Sequence, residues 1–167
     1  MYITSYLKYA VALAILIVIQ VSFMWLIAIS NYNITPDLII ILVIFLGYTR
    51  GHIAGAVTGF IAGFILDLLS GSFLGLSALS YCIAGFLAGY FQKQTTGEST
   101  KKNSVIGIIF MCTLVAYTIF FLIYFQGSQI PFPEIFLKYV ITTTLYTSVF
   151  GLIFSLIFYR FDLQKSI

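Results

Sequence analysis

The chain has 167 residues, of which 61% are hydrophobic and 8% charged, with a formal net charge of +3. So few charges cannot cover the surface of a soluble chain of this length, and the composition is that of a protein dissolved in lipid. It leaves almost no chain for a separate aqueous domain, and the small positive excess calls for no nucleic-acid partner.

Taken in order, the apolar runs predict a single integral-membrane domain over 1–167, an all-α polytopic membrane helix bundle of about six transmembrane helices. They are placed at 9–29, 36–49, 52–69, 73–91, 105–125 and 135–159. The first run carries no charge and reaches about 30 Å, one hydrocarbon core. Ala28 and Ser30 imitate a signal-peptidase site behind it, but the run is too long for a cleaved segment and a retained helix is expected. The second opens with Thr35-Pro36-Asp37, read as an N-cap, a proline at the first helical position and an acid on the positive end of the dipole. It breaks at Arg50-Gly51, and the third ends at Ser70-Gly71-Ser72. Both are short for full spans, so a shallow helical hairpin about Arg50, and five spans in place of six, is the variant.

With six spans, Lys8, Arg50, Lys93, Lys101, Lys102, Arg160 and Lys165 fall on one side and Lys138 on the other. Positive charge accumulates on the cytoplasmic side, which predicts cytoplasmic termini. Five spans spoil this partition. Tyr6, Tyr48, Tyr90, Tyr159, Trp25 and Tyr124 fall near span ends, as interfacial aromatics do. The hydrophilic loop Gln92 to Asn103 and the connection Gly127 to Glu134 are too small to bury a core. Cys82 and Cys112 lie within spans and read as packing residues.

Gly51, Gly55, Gly59 and Gly63 recur every four residues on the third helix, widened by Ala54 and Ala62, and the fourth answers with Gly85, Gly89, Ala84 and Ala88. In lipid, helices are held by close backbone approach, so these are helix-packing residues. Packing of helix three on helix four is expected ahead of contact with another protein. Asp37, Arg50, Asp67, Ser70, Gly71 and Ser72 are the structural or partner-binding candidates. Asp37 has a sufficient local explanation at its helix N-terminus. Asp67 does not, because it sits in a last turn, where the dipole disfavours an anion. It needs donors: Ser70, Ser72 or the free N–H groups that begin the fourth helix. Its expected role is to pin that turn.

No catalytic set is expected. His52, the sole histidine, is roughly 27 Å along a helix from Ser70 and about 22 Å from Asp67. No metal-ligand spacing, phosphate loop or dinucleotide fingerprint occurs, so no metal or cofactor is expected. No ionisable residue falls at mid-span, which argues against ion-coupled transport. Thr142, Thr143, Thr144, Thr147, Ser148, Thr113 and Thr118 put hydroxyls inside the bilayer. Bonding to their own helix carbonyls is the plain explanation, and a polar ligand cavity the sharper one.

The run Pro36 to Ile41, then Arg50-Gly51, the glycine ladder to Gly63, and Leu66-Asp67-Leu68-Leu69-Ser70-Gly71-Ser72-Phe73-Leu74-Gly75-Leu76-Ser77-Ala78 together resemble the bacterial rod shape-determining family MreD. The resemblance covers about Pro36 to Gly89, departing at Phe73, where the family often has Pro. It implies a non-catalytic scaffold in the inner membrane that binds the single-span protein MreC. Through it the protein would work with MreB, RodA and a peptidoglycan transpeptidase in side-wall synthesis. It also implies a fold similar to the substrate-binding membrane subunits of energy-coupling-factor vitamin transporters. Such a subunit is the alternative function, with Ala10 and Ala14 as a small-residue docking pair.

Overall fold

The computed structural model describes residues 13, 15–22, 35–71, 73–95, 102–127 and 129–163. Regular structure among them is entirely helical. Helix α1 is represented by residues 15–22. Then follow α2 (Leu38–Arg50), α3 (His52–Ser70), α4 (Leu76–Thr95) and α5 (Lys102–Tyr124). A short α6 (Phe132–Ile135) passes through a π-helical turn (Phe136–Ile141) into α7 (Thr142–Leu163). The ends of the first expected span, Ala10, Ala14, Ser72 and residues 96–101 of the hydrophilic loop lie outside the described residues.

Helix α2 is the centre of the bundle. Ile39, Ile40, Ile41, Leu42, Val43, Ile44, Leu46 and Gly47 are all buried. A helix apolar on every face must be surrounded by protein or lipid, and here the surround is protein: α3, α4, α5 and α7 all pack on α2. Ile17 of α1 joins the same core. At 13 residues, α2 rises about 20 Å, well short of a hydrocarbon core. His52–Ser70, Ile106–Tyr124 and Phe132–Ile153 are long and apolar enough to cross a membrane, whereas Leu38–Arg50 and Leu76–Phe91 are apolar but shorter.

Two helix starts differ from the expected ones. The N-cap of α2 is Asp37, not Thr35, so Pro36 precedes the helix. Asp37 has extended backbone (φ −106°, ψ 101°), and its side chain accepts from the N–H groups of Ile39 and Ile40. A short carboxyl at the cap reaches these two donors, which leaves Thr35 no capping task. Helix α4 begins at Leu76 in place of residue 73 because Phe73 to Gly75 form a turn, with the Leu76 N–H on the Phe73 carbonyl at 3.1 Å. Gly75 has φ +93°, which an α-helix excludes.

A single residue, Gly51, joins α2 to α3. Its φ of 97° suits glycine, and its N–H bonds the Gly47 carbonyl at 2.9 Å. The returning helix then lies against α4 with almost no side chain between the backbones. A Cβ on Gly55 would sit 2.6 Å from the Gly47 Cα and collide with the Gly85 carbonyl oxygen. One on Gly59 would lie 2.6 Å from the Tyr81 carbonyl carbon, one on Gly63 2.5 Å from the Ala78 nitrogen, and one on Gly89 2.5 Å from the Gly51 carbonyl carbon. Gly47, Gly55 and Gly85 thus make a three-helix backbone contact at the centre of the molecule. Dispersion between closely approaching backbones is the cohesive force available to helices in lipid.

Candidate functional site

Two acids organise the interior. The first is Asp37, buried where α1, α2, α4, α5 and α7 converge. Its Oδ1 accepts from Gln20 Nε2 of α1 at 3.0 Å and from the Ile39 and Ile40 N–H groups, each at 3.1 Å. Its Oδ2 accepts from the Tyr81 hydroxyl of α4 and, at 3.2 Å, from the Tyr117 hydroxyl of α5. The Asp37 N–H donates to Thr147 Oγ1 of α7 at 3.3 Å, and the Thr147 and Tyr117 hydroxyls are 3.4 Å apart. Gln20 also serves α2 directly, its Oε1 accepting from the N–H groups of Leu38 at 2.9 Å and Ile39 at 3.4 Å.

Five donors occupy the two carboxyl oxygens, which uses their lone-pair capacity in full. With the Asp37 N–H on Thr147 of α7, that arrangement braces five helices. Sequence reasoning placed Asp37 but missed Gln20, Tyr81 and Tyr117. The available signal was Gln20, a carboxamide inside an otherwise apolar span, where a polar side chain in lipid must find a partner.

The second acid is Asp67, fully buried in the last turn of α3. Oδ2 accepts from the N–H groups of Gly75 at 2.9 Å, Ser77 at 3.1 Å and Ala78 at 3.3 Å, while Oδ1 takes a second bond from Ser77 at 3.2 Å. These are the orphan donors that open α4. The residue at the N-cap position of α4 is glycine, which has no side chain to cap with, so α3 supplies the acceptor across the turn. The acid that its own helix dipole disfavours is thereby placed on the positive end of the next one. Gly71 closes α3 in the left-handed region (φ 65°), its N–H on the Asp67 carbonyl at 3.1 Å. Ser70 is exposed at the end of α3.

The remaining candidates are scattered. Arg50 ends α2 at the opposite end of the α2–α3 hairpin from both acids. His52 is exposed and meets the Phe86 ring edge-on at 5.6 Å. Cys82 and Cys112 are free thiols. Among the described residues, no group of three or more His, Cys, Asp and Glu converges. Thr113, Thr118 and Thr143 bond the carbonyl one turn back in their own helices, at 2.7, 2.7 and 2.6 Å. The outward faces are apolar: Ile53, Val57, Phe60, Ile61, Phe64 and Leu68 of α3 are exposed.

Compared with known families, the chain matches the model of rod shape-determining protein MreD over residues 2–159. No curated protein and no solved structure matches it.

Proposed function

This chain belongs to the MreD family of rod shape-determining proteins, and we propose that it is a non-catalytic membrane scaffold of the cell-elongation complex. In that role it binds an MreC-like single-span protein and, through it, supports side-wall peptidoglycan synthesis with MreB, RodA and a transpeptidase. The family match over residues 2–159 carries this reading. The interior accords with it. The acids cap helices and tie them together, and the glycine seam spends its contacts on internal cohesion. What faces outward is an apolar flank suited to lipid and to the spans of partners. The uneven distribution of Lys and Arg supports a multi-pass arrangement in the inner membrane with both termini cytoplasmic.

The test is affinity purification of the full chain from native membranes, with identification of bound proteins and small molecules. Recovery of an MreC-like protein with wall-synthesis enzymes is expected. Recovery of an ATPase module and a tightly held vitamin would replace the scaffold with the substrate-binding subunit of an energy-coupling-factor transporter.

A further inference from the structure

The turn between α3 and α4 is apolar outside and hydrogen-bonded within. Leu68, Leu69, Phe73 and Leu74 around it are between 57% and 68% exposed. From Gly51 to Gln92 the chain carries one formal charge, on Asp67, and that residue is fully buried. Its carboxyl oxygens accept from the N–H groups of Gly75, Ser77 and Ala78. The Gly71 N–H bonds the Asp67 carbonyl, and the Leu76 N–H bonds the Phe73 carbonyl. A surface facing water rarely gathers large apolar side chains in one patch. Non-helical backbone, for its part, is tolerated at hydrocarbon depth only where the protein itself satisfies it. This turn has side chains suited to lipid and the internal acceptors that lipid demands.

Its depth agrees. Gly51 joins α2 to α3, so Arg50 and His52 share one end of the bundle. Helix α3 has 19 residues and rises about 28 Å, and the apolar part of α4, Leu76–Phe91, rises about 24 Å. With Arg50 at one boundary, the turn lies inside a hydrocarbon core of about 30 Å, and any tilt draws it deeper. The end of α5 is level with it, since the Phe73 ring meets Tyr124 edge-on at 6.2 Å. Beyond that level stands the α5–α6 connection. Tyr139 packs on Phe125 at 4.9 Å, and about two turns of helix separate it from Phe132. On that stretch Glu134 pairs with Lys138 at 3.7 Å, and Gln126 and Gln129 nearby are exposed.

We infer that the α3–α4 turn is immersed in the acyl chains of the leaflet remote from Arg50, with Leu68, Leu69, Phe73 and Leu74 as its lipid contacts. Among the described residues, the α5–α6 connection is then what meets water on that side. The capping by Asp67 acquires a purpose beyond fixing the turn, because it hides from lipid the N–H groups that open α4. The inference does not depend on which proteins the scaffold binds or on which side of the membrane the termini lie.

Single full-length chains in lipid nanodiscs, open to water on both faces, test it by tryptophan quenching. The sole tryptophan is removed by Trp25→Phe, and the reporters are Phe73→Trp and Leu74→Trp on the turn. Gln129→Trp, on the α5–α6 connection, is the aqueous reference. Lipids brominated along the acyl chain should quench both turn reporters strongly, and iodide should quench them severalfold less than it quenches Gln129→Trp. Iodide quenching on the turn equal to that of the reference overturns the inference. So does protection from both quenchers, which would mean that protein, not lipid, covers the turn. Leu74→Trp keeps the ring contact of Phe73 with Tyr124, so it decides the matter should the Phe73 variant fail to fold.

Discussion

Replacing Asp37 with alanine removes the acceptor for five donors of the central polar cluster at once. The helix loses its cap, a loss of about 1 kcal/mol. The hydroxyls of Tyr81 and Tyr117, on residues 4% and 7% exposed, are left facing a methyl group. A stranded buried donor costs about 1–3 kcal/mol; Tyr117 keeps the Thr147 hydroxyl at 3.4 Å, so the cap and Tyr81 set a total of about 2–4 kcal/mol. That is a large part of the stability of an ordinary domain, about 5–15 kcal/mol. Asp37→Asn should be far milder, about 1 kcal/mol, because one oxygen still caps α2 and the new amide can donate to a tyrosine oxygen. Tyr81→Phe removes one donor while Tyr117 still serves the same oxygen, and should also cost about 1 kcal/mol. Thermal unfolding of the full chain in nanodiscs, followed by circular dichroism, ranks the three. An alanine variant within about 1 kcal/mol of wild type would sink the bracing argument. An asparagine variant as damaged as alanine would show that formal charge, not acceptor placement, is what the cluster needs.

The same assay serves the other substitutions. Gly55→Ala drives a Cβ against Gly47 and Gly85 and should destabilise by about 1–3 kcal/mol. By contrast Gly107→Ala, on α5 with nothing within 4 Å of its added Cβ, should gain about 0.5–1 kcal/mol from helix propensity. Asp67→Ala strands three N–H groups of α4 and should cost about 3 kcal/mol, against about 1 kcal/mol for Asp67→Asn, whose oxygen can take the place of Oδ2. An Asp67→Asn protein no less stable than wild type would refute the role of that side chain in pinning the turn. Gln20→Leu keeps the bulk but deprives the Leu38 N–H of its acceptor, for a loss of about 1–3 kcal/mol; no change would mean that α1 does not help to hold α2.

How much of this was legible in the chain depended on whether local rules left a residue unexplained. Asp67 sits at the wrong end of its helix dipole, so donors had to be sought, and those that reach it come from the adjacent turn. Asp37 has a sufficient local explanation as a helix-start acid, which points to no partner beyond its own helix. Its other partners come from 17, 44 and 80 residues away, beyond any local pattern. The glycine ladder was readable because close packing demands a four-residue period. Gly47, the third member of the central contact, has no such series on α2 and drew no notice. The apolar run Leu38 to Leu46 signals a buried helix, but its position at the centre of the bundle depends on elements far along the chain. Nothing in Phe136 to Ile141, with no glycine or proline, announces a π-helical turn.

That turn has a consequence for how the protein tolerates changes in length. A π turn holds one residue more than the α turn it interrupts, so the face of α7 is offset by about 100° from the one a continuous α-helix would present. Before the offset completes, Tyr139 packs at a tilt against Phe121 and Phe125, with centroids at 5.6 and 4.9 Å. After it, Thr143, Thr144, Thr147 and Ser148 are buried. Removing one residue from 136–141 would let the helix run straight, and would swing either the aromatic half or the hydroxyl half away from its partners. A one-residue deletion here is therefore a rotation, not a shortening. Two homologous chains that differ by one residue at this point would have to be aligned by the faces their helices present, not by the lengths of their loops.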